Sequence, residues 1–276
     1  MLNPKGPARW TSTRNNAMNI DVNGLRVIVT AGGSGLGYMI AKTFAENGAS
    51  VCICDVSQDA LRQAQRDLPS LKTWTADVSQ ADQVDAFMAE AIASMGGVDV
   101  LVNNAGIAGP GGNLEDLDEA GWKQTLDVNL TGMFLTSRRV IPHLKKQRSG
   151  SIVNIASTAG LWGFPYRAPY CASKWAIVGL TKTMAMELGE FNVRANVICP
   201  GSLNNERMEH VIELEMESTG RTEDEVRLGF TNQVSMKTFI DPEEIASQIL
   251  YLCSPLGKNI SGQAISIDGH TETMRA

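Results

Sequence analysis

Residues 25–37 read L-R-V-I-V-T-A-G-G-S-G-L-G, from Leu25 to Gly37. A short apolar run rich in valine and isoleucine reads as a buried strand. It passes directly into Gly32-Gly33-Ser34-Gly35-Leu36-Gly37, and a helical pattern then runs to Asn47, with Gly48 as its stop. Glycines between a strand and a helix let backbone N–H groups and the helix N-terminus approach a pyrophosphate. A glycine-rich turn can also be no more than a turn, and the spacing is not G-x-G-x-x-G, because Tyr38 stands at the last position. The rest of the chain decides between the two.

The next apolar run, 50–54, ends in Asp55. An acid about twenty residues beyond a glycine turn is placed to accept hydrogen bonds from ribose hydroxyls. It would repel a 2′-phosphate, and neither Val56 nor Ser34 brings a cation, so Asp55 favours NAD over NADP. Its other reading is a cap for the helix at 58–68. The alternation continues, with strands at 71–76, 98–102, 152–156, 193–198 and 263–267. Helices are expected at 80–95, across most of 119–146, at 168–191 and at 241–252, the last opening well capped on D-P-E-E. Strict βα alternation predicts an α/β fold: a single doubly wound Rossmann-type domain over 23–276 with a parallel seven-stranded sheet. Gly32 to Gly37, Asp55, Asp77, Asn104, Ser157 and Pro200 all fall at carboxyl ends of strands, where such sheets bind ligands. Residues 202–239 break the rhythm. They are charged and helix-prone with no strand, and read as a lid beside the site. Residues 1–22 are polar and read as a flexible or partner-contacting tail.

Composition narrows the function classes. The chain has 276 residues, 43% of them hydrophobic and 20% charged, as in a soluble globular protein. A net charge of −6 disfavours nonspecific nucleic-acid binding. No apolar run is long enough to span a membrane, and a cytoplasmic location is expected. Cys52, Cys54, Cys171, Cys199 and Cys253 are scattered without a C-x-x-C pair and read as reduced, buried thiols. His143, His210 and His270 lie far apart, which gives a metal site no support.

Chemistry concentrates in S-T-A-G-L-W-G-F-P-Y-R-A-P-Y-C-A-S-K, residues 157–174. Ser157 ends a strand-like run. Tyr170 and Lys174, spaced i,i+4, share a helix face one turn apart. A free tyrosine holds its proton up to about pH 10 and does little proton transfer near neutrality. A cation one turn away favours the phenolate and makes Tyr170 a general acid/base, while Ser157 can hydrogen-bond the oxygen that gains or loses the proton. The spacing alone is common, since a tyrosine and a lysine often merely share a face.

With these residues together, the chain resembles the short-chain dehydrogenase/reductase family across about residues 22–270. The likeness rests on T-x-x-x-x-G-x-G (Thr30 to Gly37), Asp77-Val78, N-N-A-G (Asn103 to Gly106), Asn129, Ser157, Y-x-x-x-K, Pro200-Gly201 and S-G-Q (Ser261 to Gln263). It implies that Tyr170 is the acid/base, that Lys174 assists it and binds the nicotinamide ribose, and that Ser157 orients the substrate oxygen. Asn129 would hold a water linking Lys174 to solvent. The glycine turn, with Gly32, Ser34, Gly35, Leu36 and Gly37, would carry the pyrophosphate, and Asp77-Val78 the adenine. Asn104, Ala105 and Gly106 would line the adenosine ribose side, and Pro200, Gly201 and Leu203 would pack on the nicotinamide. Three positions depart from the family pattern. Ala31 replaces the first glycine of the turn, which a methyl tolerates only if φ stays negative. Asn205 replaces a threonine that often contacts the cofactor. His270 follows Gly269 in place of a second glycine and reads as a surface histidine, the other reading being that it reaches toward the substrate mouth.

The expected function is NAD-dependent oxidation of a secondary alcohol or reduction of its ketone, with no metal. Two alternatives remain: an NADPH-dependent carbonyl reductase of the 3-oxoacyl type, and a non-catalytic NAD(H) sensor. Apolar residues on more than one side of the 168–191 helix, together with the resemblance, predict a homotetramer. For the substrate, Trp162 and neighbouring aromatics offer an apolar wall and Arg167 one guanidinium. This suits a small anionic substrate, with Arg207 of the lid as a second clamp. Alternatively, Arg167 caps a loop or pairs with an acid of a neighbouring chain.

Overall fold

Alternating elements form where the patterning places them. In chain order they are β1 (Arg26–Thr30), α1 (Gly35–Glu46), β2 (Ser50–Asp55), α2 (Gln58–Asp67), β3 (Lys72–Thr75), α3 (Ala81–Met95) and β4 (Val100–Asn103). There follow α4 (Glu119–Leu126), α5 (Gly132–Gln147), β5 (Gly150–Ile155), α6 (Ala168–Leu188) and β6 (Val193–Pro200). The chain continues through α7 (Glu206–Thr219), α8 (Glu223–Thr231), α9 (Pro242–Cys253) and β7 (Ala264–Ile267). This computed structural model describes residues 20–273, without the side chains of Arg207, Leu214, Glu215 and Ser218. The tail read at 1–22 falls almost wholly outside the described residues.

The seven strands make one parallel sheet in the order β3-β2-β1-β4-β5-β6-β7. Strand order reverses between β1 and β4, and a crevice at such a switch point is where doubly wound sheets hold ligands. Both faces are covered, so the strands read as continuous apolar runs. On one face Ile40, Phe44, Leu61, Ile245 and Ile249 of α1, α2 and α9 pack on Val27, Val29 and Ile53. On the other, Phe87, Met88, Val140, Leu144 and Met184 of α3, α5 and α6 pack on Ile28, Leu101 and Ile152. Burying a side chain such as Phe44 or Phe87, both essentially inaccessible, contributes about 2–3 kcal/mol each.

The helical reading across most of 119–146 holds, with a π turn at Asp127–Thr131 between α4 and α5, where Gly132 N–H reaches back to Asp127 O. Two local readings need correction. The helix at 241–252 does form, but Asp241 does not cap it with its side chain. Its Oδ1 accepts instead from Asn204 Nδ2 at 2.9 Å, and so ties α9 to the 202–239 segment. Of the five cysteines, all free, Cys171 is only half-buried. Burial raises the buried Cys52, Cys199 and Cys253 thiols, to about 12, 11 and 11 respectively.

Residues 202–239 contain α7 and α8. Thr222 and Glu225 form a capping box at the start of α8, and Asn205 Oδ1 accepts from Met208 N at 3.0 Å to cap α7. The Asn205 departure thus has a local use in starting a helix. His270 does not lie free at a mouth. Its Nδ1 is 2.7 Å from Ser235 Oγ, which also bonds Glu272, so the histidine fastens the end of this segment to the C-terminal strand region.

Candidate active site

The glycine turn leaves β1 at Thr30 and enters α1 at Gly35. Thr30 Oγ1 accepts from Asn104 N and Ala105 N, each at 3.0 Å. Asn104 Nδ2 donates to Thr30 O and Ala31 O, each at 3.1 Å. The Asn104 side chain therefore clamps the end of β4 to the turn. Ala31 sits at φ 49, in the left-handed region, so the negative φ expected for its methyl is not met. A Cβ on Gly37 would lie 2.0 Å from Ala31 O, which leaves glycine as the only residue that fits. A Cβ on Gly32 would lie 2.6 Å from Ile53, whereas Gly35, at φ 51, has nothing within 4 Å and faces open space. Ser34 caps α1 without a side-chain bond, and no acid occupies the first turn. The helix start keeps free N–H groups and its positive end for an anion. This cradle fits a pyrophosphate.

Asp55 ends β2 beside that cradle. Its Oδ2 accepts from Gly33 N at 3.1 Å and its Oδ1 from Ser57 N at 3.0 Å, while Ser57 itself caps α2. Asp55 is therefore not the helix cap. Each carboxylate oxygen keeps a lone pair for a further donor. The next residue, Val56, is 67% exposed and carries no charge. Asp77 Oδ1 accepts from Ser79 N and Oγ, and buried Val78 presses on Gly132 at the start of α5.

At the end of β5, Ser157 Oγ accepts from Ala159 N at 3.1 Å and caps a 3-10 turn at Thr158–Gly160. That turn lies against α6. Cys171 Sγ donates to Ala159 O at 3.1 Å, and Gly160 sits so close that a Cβ there would meet Lys174 O at 2.7 Å. Lys174 is 4% exposed; its Nζ donates to Ile155 O at 3.0 Å and lies 5.4 Å from the Tyr170 ring centroid. Asn129, 1% exposed, sits in the π turn. Its Oδ1 accepts from Ile107 N at 2.7 Å and its Nδ2 donates to Ile107 O and Ser173 Oγ, each at 3.0 Å. A Cβ on Gly106 would be 3.3 Å from both Asn129 Oδ1 and Lys174 Nζ, so these three converge. Single-turn π bulges inside α-helices recur at functional sites.

Pro200 ends β6, Gly201 N–H donates to Ile267 O at 3.0 Å, and Leu203 bridges Ile240 while packing on the core. Trp162 is 45% exposed, and its carbonyl accepts from Trp175 Nε1. Arg167 is half-buried just before α6. Arg207 is in the first turn of α7, and its side chain lies outside the described residues.

A buried network escaped the motif reading. Asn103 Nδ2 donates to Ser137 Oγ and Asn154 Oδ1, Thr136 Oγ1 donates to Asn103 Oδ1, and Asn154 Nδ2 donates to Thr181 Oγ1, over 2.6–3.0 Å. It locks β4 and β5 to α5 and α6 and so holds the strand ending at Ser157 against the helix that carries Tyr170. The available signal was polar residues inside otherwise apolar runs. A cavity of ≈ 360 Å³ lies elsewhere, lined by Ser151, Arg194 and Lys258 at the amino ends of the strands, and no motif residue borders it.

Similar chains are found among known proteins. The short chain dehydrogenase family profile matches residues 26–215. A 3-oxoacyl-acyl-carrier-protein reductase of Thermotoga maritima is 34% identical over 88% of this chain and 95% of its own. Among solved structures, an actinorhodin polyketide ketoreductase with NADPH superposes with a TM-score of 0.85 and 31% identity, over 89% of this chain and 96% of its own. An NAD+-bound xylitol dehydrogenase superposes with a TM-score of 0.84 and 29% identity, over 90% and 98%.

Proposed function

The chain belongs to the short chain dehydrogenase family, and on that premise we propose that it is an NAD-dependent oxidoreductase interconverting a secondary alcohol and its ketone, with Tyr170 as acid/base. The observation that carries the chemistry is Lys174 Nζ, buried, bonded to Ile155 O and held 5.4 Å from the Tyr170 ring centroid. The cation favours the ionised phenolate next to it. In the oxidative direction the phenolate oxygen of Tyr170 takes the hydroxyl proton of the alcohol. Ser157 holds the same substrate oxygen by a hydrogen bond, and in the reductive direction Tyr170 returns the proton. Asn129 positions the loop at Ile107 and the turn of α6 at Ser173, and would hold a water that connects Lys174 to solvent. The cofactor, when bound, supplies the hydride acceptor or donor. It would rest with its pyrophosphate on Gly32, Ser34, Gly35, Leu36 and Gly37 and its adenine at Asp77 and Val78. Ala105 and Gly106 would face the adenosine ribose, and Pro200, Gly201 and Leu203 the nicotinamide.

Preference for NAD over NADP rests on Asp55, whose carboxylate stands beside Gly33 and is followed by exposed, uncharged Val56. A 2′-phosphate there would meet a like charge. Residues 202–239 would act as the lid, and the working form would be a homotetramer. The test is Tyr170→Phe, with cofactor binding and turnover measured separately on a panel of sugars, polyols, hydroxy acids and sterols. Turnover should fall by a factor of about a hundred or more with NAD affinity kept. A variant retaining more than about a tenth of the rate would remove Tyr170 from the chemistry. A native protein that binds NAD but turns over nothing would favour the sensor.

A further inference from the structure

Asn154 stands on β5 three residues before Ser157, and Thr181 stands on α6 seven residues after Lys174. Seven residues are two helical turns, so Thr181 and Lys174 share one face of α6 and lie about 10 Å apart along its axis. That face meets β5 at both places. Lys174 Nζ donates to Ile155 O at 3.0 Å, and Asn154 Nδ2 donates to Thr181 Oγ1 at 2.8 Å. Asn154 and Ile155 are neighbours in the chain, so one short piece of strand holds both the ammonium group and the helix that carries it.

Asn154 and Thr181 are both fully buried. Thr181 Oγ1 gives its single proton to Ile177 O at 2.7 Å and is left as an acceptor. Asn154 Oδ1 accepts from Asn103 Nδ2 at 2.8 Å, which fixes the way the amide faces. Asn103 is held in turn by Ser137 and Thr136 of α5. Two apolar side chains could fill the same space, but apolar contact has no direction. A buried chain of hydrogen bonds fits only one setting of α6 on β5. The contact of Gly160 with Lys174 O limits how closely the helix approaches, whereas the bond to Asn154 limits how it slides and turns.

Resting on the acid/base role given to Tyr170 above, we infer that the Asn154–Thr181 bond positions Lys174 for the reaction and, through Lys174, sets how readily Tyr170 ionises. Asn154 and Thr181 are positioning residues, since both act through the lysine. Without the bond, Asn154 Nδ2 is a buried donor with no acceptor. Asn154 must shift to find one, and Ile155 O, on the next residue, shifts with it. Lys174 Nζ then loses its fixed place 5.4 Å from the Tyr170 ring centroid, and its hold on the phenolate weakens with distance. Cys171 on α6 and Cys199 on β6 are titratable groups beside this pair, with Asp268 beyond Cys199. Burial raises both thiols, Cys199 to about 11.

The test follows tyrosinate absorbance against pH in the whole protein, which needs no substrate. The native protein should show a tyrosine ionising below the ordinary value of about 10, and Tyr170→Phe should lack that step. Thr181→Val removes the acceptor at nearly the same size and should raise the step by about one pH unit. Thr181→Ser keeps the hydroxyl and should bring the step back. With a substrate that is turned over, the rate at a fixed pH below the step should fall about tenfold in Thr181→Val, with NAD affinity kept. Should Thr181→Val not fold, Thr181→Cys, whose sulfur is a weak acceptor, is read in the same way. An unmoved step in the folded variant, an equal shift in Thr181→Ser, or a native protein with no step below the ordinary value would each overturn the inference. A native protein that shows the step but oxidises no alcohol with NAD would defeat the dehydrogenase reading alone.

Discussion

Gly160 touches the backbone of Lys174: a Cβ on Gly160 would lie 2.7 Å from Lys174 O and 3.0 Å from its carbonyl carbon. The turn that follows Ser157 and the helix that carries Tyr170 are thereby set at the closest distance two backbones allow. Gly160→Ala should push α6 away and misplace Lys174 and Tyr170 relative to Ser157. We expect kcat/KM to drop about tenfold or more, a loss of roughly 1.4 kcal/mol in transition-state stabilisation. Gly163→Ala, where a Cβ meets nothing within 4 Å, is the matched control and should keep its rate. Equal activity of the two variants would refute the spacing argument.

Ala31 and Gly37 make an opposed pair. Ala31 at φ 49 carries about 1–2 kcal/mol of left-handed strain. Ala31→Gly removes the strain but loosens the unfolded chain by about 0.4–1 kcal/mol, so a net gain of up to about 1.6 kcal/mol is expected in denaturant unfolding. Gly37→Ala places a methyl 2.0 Å from Ala31 O and should abolish NAD binding or folding. Destabilisation by Ala31→Gly would show that the surroundings demand the methyl.

Cofactor choice is tested at Asp55 and its neighbour. Asp55→Ala combined with Val56→Arg removes the like charge and adds a cation at an exposed position. The ratio of NAD to NADP affinity should move toward NADP by about a hundredfold, roughly 2.7 kcal/mol. A native protein that binds both cofactors equally would refute the role given to Asp55.

Acid stability should report on Asp99. Burial opposes its charge, but hydrogen bonds from the Arg26 guanidinium and backbone N–H, the Arg26 charge and Gln147 outweigh it and hold the carboxyl below its ordinary value. A carboxyl depressed in the folded state stabilises fully above its unfolded value, near pH 4, and the contribution is lost as pH falls through the lower folded value. Asp99→Asn should therefore lower Tm near neutrality, by about 2–6 °C for a loss of roughly 1–2 kcal/mol. The gap to the native protein should close as pH drops below about 4. A gap constant from pH 7 to pH 3 would count against the pair.

Assembly should depend on apolar residues that α6 and its neighbours leave exposed. Ile177, Val178, Met184 and Leu188 of α6 are buried, whereas Trp175 is 51% and Met186 86% exposed, with Phe134 of α5 and Trp122 of α4 also at the surface. Light scattering at micromolar concentration should give a tetramer, and Trp175→Lys with Met186→Glu should shift it to a smaller species. A native monomer would refute this.

The α/β alternation, the parallel sheet and the family were legible in the amino-acid order, and so was the placing of Asp55 at the end of a strand, of Ser157 just beyond one, and of Tyr170 and Lys174 on one helix. Strand periodicity, glycine placement and helix spacing are local properties, written within a few residues of the elements they specify. Other features came only from the fold. Ala31 takes a positive φ, and its carbonyl accepts from Asn104, just beyond β4, a contact between segments remote in the chain. That Asn129 serves the loop at Ile107 depends on a π turn which no spacing rule marks. The bonds from Asn103 to Asn154 and from Asn154 to Thr181 join three elements far apart in the chain, β4, β5 and α6. The Asp241 carboxylate accepts from Asn204 and does not cap its own helix, and surface His270 pairs with Ser235, because a donor or acceptor arrived from a distant segment. Local propensity decides which elements form. Which polar group meets which is settled only when the sheet brings remote segments together, because a buried polar atom takes whatever partner the packing puts within reach.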